Sequence, residues 1–221
     1  MKKNCEDSLR QQALRKQLVK TVRDKGIRDE RVLDALMKVP RHCFMDNALD
    51  SIAYEDRAFP ISAGQTISQP YTVAYQTELL QVNPYEKVLE IGTGSAYQAT
   101  ILAEMKAQVF TIERQRELFD ERAKSYPFEG KYPLIKFFYG DGFKGLPTFG
   151  PFDKILVTAA APYIPQALID QLKPGGALVI PVDEEQAQRM KRIRKNANGS
   201  VSEENFALFH FVPMVEGKNP K

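Results

Sequence analysis

The sequence predicts an α/β fold: a doubly wound, mostly parallel sheet with C-terminal antiparallel strands and an N-terminal helical and loop extension. Three observations predict it. From residue 72 onward, short apolar runs alternate with helix-period runs. Strand, helix, strand at this rhythm implies right-handed crossovers and helices on both faces of a parallel sheet. The last two strand-like runs have only a turn around Asn198-Gly199 between them, so they form a hairpin. The length of 221 residues suits one generous domain, or one domain with an added lobe. Hydrophobic residues at 43% and charged residues at 27% exclude a mostly disordered chain, a collagen and a coiled coil.

The elements follow in order. Leu9, Leu14, Leu18 and Val22 recur at near-helical spacing among charges, predicting a helix over 6–25 that Gly26 ends. Asp29 can cap a second helix with Val32, Leu33, Leu36 and Met37 on one face, and Pro40 stops it. Residues 41–71 show no clean period and include AFPISAGQTISQPY. A long irregular segment in a compact domain is usually functional. A helix through Val73, Leu79 and Leu80 then leads to the break at Asn83-Pro84. The predicted parallel strands are Lys87–Ile91, Val109–Ile112, Leu134–Tyr139, Lys154–Thr158 and Ala177–Ile180. Helices at about 96–106, 115–125 and 164–172 lie between them, and Arg189–Arg194 and Phe206–Val212 form the closing hairpin. Residues 1–71 therefore read as an extension and 72–221 as the core.

Charge and cysteine narrow the partners. The formal net charge of +3 is too small to argue for nucleic acid or a membrane surface. The basic run QRMKRIRK at 188–195 reads as an edge strand whose charges discourage aggregation. No apolar run reaches the 18 or so residues of a membrane span. No apolar stretch follows Lys2 and Lys3, so a secretory signal is not expected and the cytoplasm is the expected address. Cys5 and Cys43 show no C-x-x-C pair and no metal-ligand spacing. A buried thiol, two ordinary histidines (His42 and His210) and no metal are expected.

The richest segment is Val88-Leu-Glu-Ile-Gly-Thr-Gly-Ser-Ala-Tyr-Gln98. A buried strand runs into a tight turn holding Gly92 and Gly94, and a helix follows. In open α/β sheets the ligand lies beyond the carboxyl ends of the strands at such a turn. The helix N-terminus offers free N–H groups. Tyr97 stands where a dinucleotide fingerprint needs its third glycine, which disfavours a pyrophosphate and a nicotinamide-dependent oxidoreductase. Glu90, two residues before Gly92, would repel a pyrophosphate and attract an ammonium group. Glu113 ends the second strand and can accept both hydroxyls of a ribose. Asp141, between Gly140 and Gly142 at the end of the third strand, can accept from an adenine amino group. A ligand with a cationic amino-acid end and a nucleoside end satisfies all three acids, and S-adenosyl-L-methionine is such a ligand.

The segments VLEIGTG, VFTIER, GDG, PFDKILVTAA and LKPGGALVIP resemble the successive motifs of class I S-adenosylmethionine-dependent methyltransferases, whose fold is Rossmann-like. The loop Gly64-Gln-Thr-Ile-Ser-Gln-Pro-Tyr71, followed by TVAYQTELL, is more specific. It resembles the signature of protein-L-isoaspartate O-methyltransferases, and the likeness runs from about Gly26 to Gly217, including VPRHCF and FVPMVEG. The resemblance implies Ser68 as the active-site serine. Thr66, Ile67 and Gln69 would form the wall between cofactor and substrate. Glu90, Gly92, Thr93 and Gly94 would hold the methionine portion, Glu113 the ribose, and Asp141 with Gly142 the adenine. It implies methyl transfer to the free α-carboxyl of isoaspartyl residues in damaged proteins and peptides, initiating repair through a succinimide, with S-adenosyl-L-homocysteine as product. The expected enzyme is a monomer with no nucleic-acid or membrane partner. Ala96 departs from the glycine found in many members, and the short tail after Val215 leaves its cofactor contacts unmapped.

Other readings remain open on the residues alone. A class I methyltransferase with another substrate differs only in the GQTISQP loop. A binding module would rest on the basic run at 188–195. Ser68 itself could instead cap the helix that begins near Pro70.

Overall fold

The computed structural model describes residues 5–220. Helix α1 (Leu9–Asp24) begins at Ser8, whose hydroxyl accepts from the Gln11 backbone while the Gln11 side chain answers in a capping box. Helix α2 (Glu30–Lys38) starts at Asp29, which accepts from the Arg31 N–H, and it buries Val32, Leu33, Ala35 and Leu36. Pro40 blocks its continuation. The chain then takes a 3-10 turn at Arg41–Phe44 and a second at Asn47–Leu49. Two short strands, β1 (Phe59–Pro60) and β2 (Thr66–Ile67), pair antiparallel with Phe59 opposite Ile67. The expected loop is therefore a small hairpin, and α3 (Pro70–Leu80) follows it directly.

The main sheet has seven strands in the order β5-β4-β3-β6-β7-β8-β9. They are β3 (Lys87–Ile91), β4 (Gln108–Glu113), β5 (Ile135–Tyr139), β6 (Phe152–Val157), β7 (Leu172–Glu184), β8 (Ala187–Lys195) and β9 (Val201–Phe209). Strands β3 to β7 run parallel, and β8 and β9 add antiparallel. Helices α4 (Tyr97–Glu104), α5 (Arg116–Ser125) and α6 (Gln166–Asp170) intervene. The chain winds outward from β3 to β5 and then returns to β6 on the other side of β3. Between β3 and β6 the direction of winding reverses, which opens a crevice at their carboxyl ends.

Alternate residues of the strands feed two cores. Val88, Leu156 and Val179 face one, which also holds Leu18, Val22, Leu33 and Leu36 from the first two helices. Leu89, Ile155, Val157, Leu178 and Ile180 face the other, with Leu168 and Met214. The N-terminal helices thus share a core with one face of the sheet.

Two expectations are corrected. Strand β8, with the basic run, is not the edge: it pairs with β7 on one side and β9 on the other. Its charges meet acids of neighbouring strands: Lys191 with Glu203 at 2.8 Å, Arg192 with Glu204 at 2.6 Å, and Arg189 with Glu184 at 2.9 Å. Cross-strand pairing, invisible in a one-strand view, explains the run. Second, Cys5 and Cys43 are not separate thiols but form a disulfide with Cα atoms 5.4 Å apart. His42 packs against both sulfurs, and these three residues are the one His/Cys/Asp/Glu group among the described residues close enough to share a metal. The disulfide occupies both sulfurs, so neither is a thiolate ligand. Residues 38 positions apart in the chain were brought together by the packing of α1 and α2, which no local spacing encodes. Among the described residues no helix is long and apolar enough to cross a membrane.

Candidate functional site

A cavity lies at the crevice. Its floor is the turn after β3. Gly92 has φ +99°, and a Cβ there would sit 2.6 Å from Thr158 Oγ1. The Thr158 hydroxyl at the end of β6 donates toward the carbonyls of Ile91 and Gly92, at 3.0 and 2.8 Å. A side chain at position 92 would thus meet both a forbidden φ and a fixed hydroxyl. Gly94, at φ +50°, donates its N–H to Glu113 Oε2 at 2.9 Å, and the Gln115 N–H binds Glu113 Oε1 at 2.8 Å. Thr93 and Thr111 share a 2.6 Å hydroxyl contact beneath the turn.

Three acids were expected here, and the structure treats them differently. Glu113 lines the cavity. Burial pushes its pKa up, while N–H groups of Gln115, Gly94 and Arg114 pull it back. Glu90 lies beneath the turn, fully buried, with neither carboxyl oxygen hydrogen-bonded. Burial pushes its pKa up to about 8, eased by the nearby Thr111 hydroxyl and reinforced by the charge of Glu113. A buried carboxyl without partners fits a cationic ligand above it, directly or through water. Asp141 does not face this cavity. It accepts from the Phe143 N–H at 3.0 Å and lines a neighbouring depression beyond Ile112. Gly142 does line the cavity, and a Cβ on it would sit 2.4 Å from Ile91 Cγ2.

The opposite wall is the β1–β2 hairpin. Thr66, Ile67 and Ser68 line the cavity, together with Gln65. Gln69 lies outside it, on a surface groove that also holds Lys25, Tyr71, Phe209 and Phe211. Thr66, Ser68, Thr158 and Val212 line both the cavity and the groove. Ser68 does not cap α3: the N-cap is Gln69, and no side chain of the cap residue bonds the helix. Asp56 does so from a distance, accepting the Tyr71 N–H at 2.8 Å and the Gln69 amide at 3.1 Å, with Lys25 2.5 Å away. Arg41, with no exposed surface, donates to the carbonyls of Ala53 at 2.6 Å, Arg57 at 3.1 Å and Ser68 at 3.0 Å. Burial lowers its pKa to about 10.

Several lining residues were missed. Thr158 could have been found, since it follows β6 and carboxyl strand ends are where such sites lie. Val212, Pro213, Met214 and Val215 line the cavity because the chain after β9 folds back across it. Ala160 donates its N–H to Val212 O at 2.8 Å and accepts from Met214 N. Nothing local in an apolar four-residue stretch signals that return. Tyr97, noted only for not being glycine, is buried and packs edge-on against Phe44 with ring centroids 5.4 Å apart. It joins the glycine turn to the turn that carries Arg41.

A glycine turn at the switch point, an acid beneath it and an acid at the end of β4 define the class I S-adenosylmethionine-dependent methyltransferase arrangement. Within that class, the family model for protein-L-isoaspartate(D-aspartate) O-methyltransferase matches residues 12–219, and the chain belongs to that family. A protein-L-isoaspartate O-methyltransferase of Cytophaga hutchinsonii is 53% identical over 218 residues, covering 98% of each chain. One of Flavobacterium johnsoniae is 52% identical, covering 96% of this chain and 99% of its own. A Plasmodium falciparum chain assigned to the same activity, solved in complex with S-adenosyl-L-homocysteine, superposes with a TM-score of 0.77. It is 25% identical, and the match covers 91% of this chain and 98% of that one.

Proposed function

We propose that this chain transfers the methyl group of S-adenosyl-L-methionine to the free α-carboxyl of L-isoaspartyl residues in damaged proteins and peptides, the first step of their repair through a succinimide. One observation carries the reading: Ser68 and three neighbours line both the cavity at the glycine turn and the adjoining groove. A donor can sit in the first and a polypeptide segment in the second, with the serine between.

When bound, the cofactor supplies an electrophilic methyl on a positively charged sulfur. Gly92, Thr93 and Gly94 would hold its amino-acid end over Glu90, and Glu113 its ribose. Gly142 would face the adenine, with Asp141 approaching from the adjoining side. The acceptor needs no base. An α-carboxyl has a reference pKa of about 3.3–3.7 and is ionised at neutral pH. The chain's task is to hold that carboxylate, exclude water and present it in line. Such orientation can supply roughly 7–11 kcal/mol. Thr66 and Ile67 form the partition, and Gln69 faces the peptide groove rather than the cofactor. The Ser68 hydroxyl orients the carboxylate by donating to it, and the residue's own carbonyl is fixed by Arg41.

We read residues 1–71 as the extension that carries the acceptor loop and 72–221 as the cofactor core, working as a cytoplasmic monomer without nucleic-acid or membrane partners. The pairing of the basic run with Glu184, Glu203 and Glu204 supports the last point. The test is methyl transfer from labelled S-adenosyl-L-methionine to two peptides that differ only in isoaspartate versus aspartate. Base-labile label on the isoaspartyl peptide alone is expected. Ser68→Ala should lower turnover about 10-fold or more with cofactor Kd within about two-fold. A large loss of cofactor binding would remove Ser68 from this role.

A further inference from the structure

Cys5, His42 and Cys43 belong neither to the cofactor cavity nor to the acceptor groove. Their disulfide ties the segment ahead of α1 to the 3-10 turn Arg41–Phe44 across 38 positions of sequence. That turn also carries Arg41, which holds the Ser68 carbonyl. His42 Nε2 lies 3.5 Å from Cys5 Sγ, 3.8 Å from Cys43 Sγ and 3.1 Å from the Glu6 carbonyl. Its other nitrogen lies 2.7 Å from the Tyr54 hydroxyl, which accepts from Arg15 at 3.0 Å. Arg15 in turn pairs with Asp7 at 2.8 Å and donates to the Met37 carbonyl at 2.6 Å. The imidazole is thus oriented toward both sulfurs by a chain of buried contacts. Cys5 is half-buried, whereas Cys43 is buried.

We propose that Cys5 and Cys43 form a reversible thiol–disulfide exchange site for low-molecular-weight disulfides, and that its closure firms the turn that braces Ser68. The more accessible Cys5 reacts first. Its thiol loses a proton to solvent beside the His42 Nε2–H, from which the Glu6 carbonyl accepts at 3.1 Å, and the thiolate attacks one sulfur of the small disulfide, RSSR. A Cys5–S–SR bond forms, the RS–SR bond breaks, and RS⁻ leaves and takes up a proton. Cys43, deprotonated in the same way, attacks the Cys5 sulfur and expels the second RS⁻. Two cysteine thiols and one RSSR become one protein disulfide and two RSH. His42 acts as a positioning residue whose Nε2–H favours the thiolate form of the sulfurs beside it.

The test uses the full chain equilibrated without oxygen in glutathione buffers of graded oxidation, with a metal chelator present. Thiols are then blocked and the 5–43 cross-link is scored by peptide mapping. A single two-electron transition from two thiols to one cross-link is expected. Closure of so long a loop should raise the unfolding midpoint by on the order of 10 °C. The part concerning Ser68 rests on the function proposed above. There the closed form should show a KM for isoaspartyl peptide roughly three- to ten-fold lower, with cofactor Kd within about two-fold. Cys5→Ser should match the reduced form and lose the response to glutathione. His42→Gln should slow closure at about pH 7 and much less at about pH 9, where thiols ionise unaided. A merely structural histidine would slow both alike. Two thiols that persist in fully oxidised buffer would overturn the exchange site. A cross-link that leaves KM unchanged would overturn its coupling to Ser68. Cross-link and midpoint are read without turnover, so failure of methyl transfer alone counts against the proposed function and not against this site.

Discussion

The two walls of the cavity are built by different means. The Gly92–Ser95 wall is largely backbone, set by β3, β4 and β6 through regular ladders, with glycine at positions 92 and 94. The Gln65–Ser68 wall rests on a hairpin with strands of two residues each, too short to fix itself. Polar side chains from elsewhere hold it: Arg41 from the 3-10 turn and Asp56 from the following loop. A wall of the first kind is harmed by added atoms. A wall of the second kind is harmed by removed hydrogen bonds. The variants below are chosen to break that contrast.

The largest effect is expected at Arg41. Its guanidinium donates to three carbonyls with no acidic partner hydrogen-bonded to it, and it lies near the rings of Phe59 and Tyr97. Arg41→Met keeps apolar volume and removes every donor. Denaturant unfolding should show a loss of about 3–5 kcal/mol, since the freed carbonyls are left under-satisfied. KM for the peptide acceptor should rise more than Kd for the cofactor. An equal rise in both would mean the two walls are one mechanical unit, joined through Tyr97.

Gly92→Ala comes next. The added carbon meets Thr158 Oγ1 at 2.6 Å in a backbone conformation that L residues rarely adopt. Strain and overpacking together should cost about 2–4 kcal/mol. Isothermal titration should show weakened cofactor binding with acceptor KM little changed at saturating cofactor. In the Gly92→Ala, Thr158→Ala double variant the clash is gone and the φ strain remains, so about half of the loss should return. Full recovery would mean that contact alone, not backbone conformation, requires glycine at this position.

This contrast also explains what could be read from the sequence. The five parallel strands and the glycine turn are encoded locally, by apolar runs and by residues that permit one backbone path. The closing hairpin is too, but its second strand runs Val201–Phe209 rather than the expected Phe206–Val212. Helix α2 was legible down to its cap, because Asp29 and its apolar stripe are neighbours in sequence. Asp56, Arg41 and the Cys5–Cys43 pair were not. Each acts on residues 12 to 38 positions away, and nothing near them in sequence announces a partner. Within the site, Gly92, Thr93, Gly94 and Glu113 converge as their strand-end positions suggest. Asp141 and Gln69 share those local signals yet face adjoining surfaces, because side-chain direction depends on turns whose geometry spacing does not specify.

Glu90 offers a pH test of the backbone-made wall. Its carboxyl moves from a usual 4.5 to about 8 through burial. Between those values the folded chain holds a proton that the unfolded chain has released. Stability of the cofactor-free protein should therefore fall as pH rises across that window, and the contribution should be restored on acidification. Glu90→Gln, which cannot ionise, should flatten this slope in denaturation midpoints measured from about pH 5 to about pH 8. An unchanged slope would mean that other groups carry the pH dependence and that Glu90 is solvated in the free protein.

The smallest effect is expected at Ala96, just after the glycine turn. Ala96 is fully buried at the start of α4, with φ 67° and ψ 12°. Ala96→Gly relieves a left-handed conformation, a gain of about 1–2 kcal/mol. It also frees the unfolded chain by about 0.4–1 kcal/mol and removes one buried methyl worth about 0.8 kcal/mol. These terms nearly cancel, so stability should move by less than about 1 kcal/mol and cofactor Kd by less than about two-fold. Set beside Gly92→Ala, the pair separates the two demands on this turn: one carbon is excluded at position 92 by a fixed hydroxyl, while at position 96 one carbon is tolerated because packing offsets the strain. A loss well beyond about 1 kcal/mol on Ala96→Gly would show that this buried methyl helps to hold the two walls together.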